Sequence, residues 1–155
     1  MGLPYADILR VPSVPRLLCS AVIGRMPIGM GALAIFLLVR SEGGSYALAG
    51  LAVSASTVAG CIGAPVLGRL VDRHGQPRVL LAAMASQTAA LLLLAGLAPR
   101  TEALLLALCA LYGASNPPLA AAMRATWSTL IPSRGLLTRA FSLDSTAQEL
   151  IWILG

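Results

Sequence analysis

Few residues of this chain could do chemistry, and most of its charge is gathered in short groups. Its 155 residues include six acidic side chains, eleven arginines, no lysine and a single histidine. That histidine, His74, lies in the densest group, Gly68-Arg69-Leu70-Val71-Asp72-Arg73-His74-Gly75-Gln76-Pro77-Arg78-Val79-Leu80. No Ser/His/Asp set, paired-carboxylate site, metal cluster or Walker loop can be assembled from these residues. Gly29-Met30-Gly31 lacks the preceding strand and third glycine that a nucleotide-binding loop needs. Cys19, Cys61 and Cys109 each stand alone in an apolar run, without metal or redox spacing, and read as small apolar packing residues. The expectation is no catalysis, no metal and no cofactor.

What the charged stretch can do is mechanical. Gly68 and Gly75 permit close packing and a tight turn. Asp72 can accept backbone N–H bonds at a helix start, and Arg73 can pair with a carboxylate or with the carbonyls that end a helix. Two further charges sit inside apolar runs. Arg25 is about nine residues, or roughly 13 Å, into the first run, where an unpaired charge costs about 2.5–3.5 kcal/mol on insertion scales. Glu149 lies about as deep in the last one. The two are expected to pair, or to line one polar cavity; the alternatives are that Arg25 snorkels to the interface and that Glu149 sits in a shallower helix. Tyr112 and Asn116, with Ser115 on the same helical face, are candidates for substrate contact or for helix–helix hydrogen bonding.

The elements that must position these groups follow from composition. Charged residues make up 11% of the chain and hydrophobic residues 57%, and the mean hydropathy is +0.83. A soluble domain carries roughly 25% charged residues, so this is an integral membrane protein. The net charge of +5 is scattered between apolar runs and forms no stripe for nucleic acid. A polar segment, 1–16, precedes spans over about 17–39, 46–67, 79–98 and 103–123, and a fifth apolar stretch, 140–155, is too short to cross. The first run is too long for a signal peptide and has no cleavage site. Thr101 or Arg100 starts the fourth span. Ser54, Thr57 and Cys61 form a weakly polar stripe on the second, and Gly60 with Ala64 a small-residue pair for packing.

The arginines orient the spans. With the amino terminus in the cytoplasm, the inner segments hold Arg10 and Arg16, then Arg69, Arg73 and Arg78, then Arg124, Arg134 and Arg139. The outer loops hold only Arg40 and Arg100, each near a glutamate. The expected location is the cell (inner or plasma) membrane.

The 68–80 stretch resembles the loop between helices 2 and 3 of the major facilitator superfamily of secondary transporters. That pattern runs Gly, any, Leu, Ala, Asp, Arg, any, Gly, Arg, Lys, two of any, Leu. Gly68, Leu70, Asp72, Arg73, Gly75 and Leu80 match it. Val71 stands for Ala, Gln76 and Pro77 replace the basic pair, and Arg78 supplies one positive charge a position late. The resemblance implies that Asp72 and Arg73 latch the two halves of a transporter on the cytoplasmic side and act as conformational-switch residues without touching substrate. The loss of the basic pair would weaken contact with anionic lipid or with the opposite half. It also implies that spans 1 and 4 line the cavity. The family often carries an arginine four residues before a glycine in span 4; with Gly113 as that glycine the position is Cys109, so that route to proton coupling is not carried over.

The fold expected is therefore an all-α, polytopic transmembrane bundle, the incomplete amino-terminal half of such a transporter. Its function would be alternating-access movement of small molecules, including drug or metabolite efflux, not active alone. Its partners would be the bilayer, a small-molecule substrate, and the missing second half or a partner subunit. The rivals are a small dimeric exporter and a non-transporting membrane protein that assembles with or regulates a partner.

Overall fold

The computed structural model describes residues 13–97, 101–130 and 134–154. They form helices α1 (Ser13–Ser41), α2 (Tyr46–His74), α3 (Gln76–Leu97), α4 (Glu102–Ala114), α5 (Leu119–Leu130) and α6 (Arg134–Leu154), with no strand among them. Four stretches are long and apolar enough to cross a membrane: Val14–Ser41, Tyr46–His74, Gln76–Leu97 and Glu102–Leu130. Most of the expected polar segment 1–16 lies outside the described residues. From Ser13 the chain is already helical, with Pro15 in the first turn, where its missing N–H costs nothing.

Three expectations need correction. The charged stretch is almost wholly helical and the spans beside it are longer than expected: α2 runs on past 67 to His74, α3 starts at Gln76, and Gly75 alone separates them. Gly75 takes φ +85° and ψ 148° and donates its N–H to the Val71 carbonyl at 2.9 Å. Only glycine occupies that region without strain. The fourth span is also not continuous. Pro117 and Pro118 have no N–H for the carbonyls behind them, and each disfavours helical backbone in the residue before it. The helix therefore closes at Ala114, with the Asn116 N–H turned onto the Gly113 carbonyl at 3.0 Å, and restarts at Leu119. Finally, the last helix begins at Arg134, six residues earlier than expected, and is 21 residues long.

The chain divides into two compact units, Met1–Met30 with Leu119–Gly155, and Gly31–Pro118. In the second unit, Ser45 and Thr101 cap α2 and α4 through the N–H groups of Leu48 and Leu104. The core gathers Ile35 and Val39 of α1, Ala49 and Ala52 of α2, Ala90 and Leu94 of α3, and Leu105, Leu108, Cys109 and Tyr112 of α4. Helices α2 and α4 meet backbone to backbone. A Cβ on Gly113 would collide with the Ser56 carbonyl, one on Gly63 with Ala114, and one on Gly60 would lie 3.3 Å from the Gly113 oxygen. Between spans, where lipid is as apolar as the helices, such close packing is the source of attraction. The working stripe on α2 is thus Ser56, Gly60 and Gly63, while Ala64 and the Ser54, Thr57, Cys61 stripe are exposed.

In the first unit, Trp127 and Met123 of α5, Ala140 of α6 and Val14 of α1 form a buried cluster, with Leu17, Leu136, Leu137, Phe141 and Leu143 packed against it. Gly24 lets the Leu119 side chain lie close to α1, since a Cβ there would sit 3.3 Å from its Cδ1.

Two glycine contrasts test this architecture by thermal unfolding in detergent. Gly113→Val is expected to destabilise the second unit by about 1–3 kcal/mol or more through overpacking. Gly75→Ala is expected to cost about 1–3 kcal/mol through strain at its positive φ. Gly68→Ala is the control: nothing lies within 4 Å of a Cβ there, and alanine is the better helix former by about 1 kcal/mol.

Candidate functional site

The most deeply held charges of the described chain form one ion pair. Arg25 of α1 donates from Nη1 to Oδ1 of Asp144 at 2.7 Å and from Nη2 to Oδ2 at 3.2 Å. The two side chains are only 4% and 10% exposed. The fork-to-fork arrangement satisfies both carboxylate oxygens and gives the strongest hydrogen bonds available to either group. It also resolves the cost of Arg25 that the sequence raises: the guanidinium is neutralised inside the unit and does not snorkel.

The partner expected for Arg25 was Glu149; the structure pairs it with Asp144 and leaves Glu149 exposed. The reason is the earlier start of α6. Counted from Arg134, Asp144 is ten residues in, about 15 Å, while Arg25 is twelve residues from Ser13, about 18 Å. A helix starting at residue 140 would leave Asp144 in its first turn and bring Glu149 to that depth. The signal for the earlier start was present as Pro132-Ser133, a breaker followed by a capping residue type, directly ahead of the apolar periodicity.

At the α2–α3 junction, Asp72, Arg73, His74 and Arg78 are all exposed. Asp72 lies in the last turn of α2, not at a helix start, so it accepts no capping bonds from a following helix; Arg73 and His74 at the same terminus suit the helix dipole. Leu70 is also exposed, on the same last turns of α2 as Gly68. Gln76 and Pro77 open α3, and proline in a first turn is compatible with a helix start. The junction therefore presents a charged tip that turns at one glycine.

The candidates on the fourth span are separated by the helix break. Tyr112 is buried in the second unit's core with its hydroxyl end against Gly31 of α1, where a Cβ would collide with it. Asn116 lies beyond the end of α4, so the two do not share a helical face; its Oδ1 is buried without a hydrogen-bond partner among the described residues. Ser115 instead exchanges a hydrogen bond with Ser86 of α3 at 2.9 Å between the two Oγ atoms, a contact that sequence spacing could not reveal. Cys109 is fully buried among apolar neighbours, with no solvated space for an arginine at that position.

Removing one member of a buried pair strands the other. Arg25→Met is expected to destabilise the chain by about 3–5 kcal/mol, while Arg25→Met with Asp144→Leu returns it to near wild-type stability or above. Chemical unfolding in detergent measures both, and an additive double variant would refute the pairing.

The sequence model of the Major Facilitator Superfamily matches residues 17–155, from the first helix through the last. No curated protein and no solved structure matches the chain. With the helical architecture and the charged α2–α3 junction on that match, the chain belongs to the Major Facilitator Superfamily of membrane transporters.

Proposed function

We propose that this chain supplies the amino-terminal bundle of a secondary active transporter that moves small amphipathic molecules across the cell membrane by alternating access. The opposing wall of the path comes from a second bundle, in the same polypeptide or in a partner chain, because one half has no surface to rock against. The observation that carries the reading is the α2–α3 tip. Its single glycine joint holds Asp72, Arg73 and Arg78 exposed and close in sequence, so they can dock on and release an opposing helix end or carboxylate as the two sides open and close. The arginine bias supports a cytoplasmic amino terminus and a cytoplasmic tip.

The substrate class follows from charge. Arg25 is the arginine buried within the described helices, and Asp144 cancels it. Among the described residues the buried charges therefore cancel, and such an interior suits apolar or cationic amphipathic molecules and disfavours phosphorylated sugars. Outward movement of such compounds is the direction proposed.

The test is ethidium movement in membrane vesicles carrying the native gene product. Asp72→Asn and Arg73→Ala are each expected to slow it about tenfold at unchanged protein level, with Arg69→Ala as the control. Unchanged rates in both variants would remove the switch role. Saturable ethidium uptake by liposomes holding the purified 155-residue chain alone would remove the need for a second bundle.

A further inference from the structure

We infer that α6 is a conditional span: Arg134–Leu154 enters the membrane because Arg25 of α1 receives Asp144, and the composition of those residues does not carry them in. The inference concerns assembly and stands apart from the transport reading.

The helix has the length to cross. Its 21 residues reach about 31 Å, and a bilayer core is about 30 Å thick. It is nevertheless absent from the stretches apolar enough to do so. The cause is Arg134, Arg139, Asp144 and Glu149, four charges spaced every five residues. At about 100° per residue, that spacing turns each charge about 140° from the one before. Arg139 and Glu149 then each lie about 140° from Asp144 around the helix.

Burial follows the same division. Asp144 is 7% exposed, Glu149 is exposed and Arg139 is half-buried. The charge on the inward side is the one that α1 receives.

The two partners are unequal as inserting segments. The stretch Val14–Ser41 has a mean hydropathy of 2.0 and remains a candidate span with Arg25 included. It is also made first, so α6 arrives to find a buried guanidinium waiting. Pairing removes two insertion penalties in one step, that of Arg25 and that of Asp144. The apolar cluster around Trp127 grips α6 through Leu136, Leu137, Ala140, Phe141 and Leu143, which lie before Asp144. The Arg25–Asp144 pair is the described polar contact that α6 makes beyond them. A buried ion pair of this kind acts by selecting one partner and one register.

The test reads which side of the membrane the end of α6 reaches. Alkaline phosphatase, active only outside, or green fluorescent protein, fluorescent only inside, is fused after Gly155 of the full chain, and the ratio of the two signals is taken per amount of fusion protein in the membrane. Arg25→Met is expected to move that ratio at least about tenfold toward the uncrossed side. Arg25→Met with Asp144→Leu is expected to restore the wild-type ratio, and Glu149→Gln with Arg25 intact to leave it unchanged. A wild-type ratio in Arg25→Met overturns the inference. So does a double variant that stays on the uncrossed side, because the loss would then come from α1 itself and not from the stranded carboxylate.

Discussion

Hydrocarbon does not solvate charge, and the Arg25–Asp144 pair is how this chain meets that constraint where it is most severe. A guanidinium about 18 Å along α1 cannot be left alone. Its bidentate bond to a carboxylate about as deep in α6 converts two liabilities into one neutral, directional contact. The pair adds little stability over an apolar isostere. What it contributes is selection: of the two carboxylates of α6, Asp144 meets Arg25 and Glu149 stays exposed, which fixes the rotation of α6 at that contact.

The same solvent constrains the backbone. Pro117 and Pro118 interrupt a stretch that composition marks as one span, and the carbonyls behind them must find donors inside the protein. The Asn116 N–H serves the Gly113 carbonyl, and Ser115 turns to Ser86 across the helices. Pro27 and Pro65, by contrast, sit inside unbroken helices. Where helices approach most closely, glycine does the work: Gly113 and Gly63 bring α2 and α4 to backbone contact, and Gly31 accepts the Tyr112 ring. With no hydrophobic drive between spans, these close approaches supply the dispersion attraction that holds the second unit.

The α2–α3 tip joins helices of 29 and 22 residues through Gly75 alone and keeps Asp72, Arg73 and Arg78 exposed. The chain's membership of the Major Facilitator Superfamily is the setting in which a switch role for those charges is proposed.

Much of this was legible in the sequence. The membrane class, the all-α fold, four apolar stretches and the motif spanning Gly68 to Leu80 follow from composition, run length and residue order, which act locally and need no partner. Gly75 as the turn and Thr101 as a cap are local for the same reason. The identity of Arg25's partner was not local. Glu149 and Asp144 are both carboxylates in the same apolar stretch, and which of them reaches Arg25 depends on where α6 begins and how it is rotated against α1. Nor could order along the chain show that Tyr112 packs on Gly31 while Asn116 falls past a helix end, or that Ser56, Gly60 and Gly63 form the stripe that meets α4. Sequence determines what each stretch can be in a bilayer because lipid tests every residue against the same solvent. Only tertiary packing decides which charge meets which, because that depends on register and rotation between helices far apart in the chain.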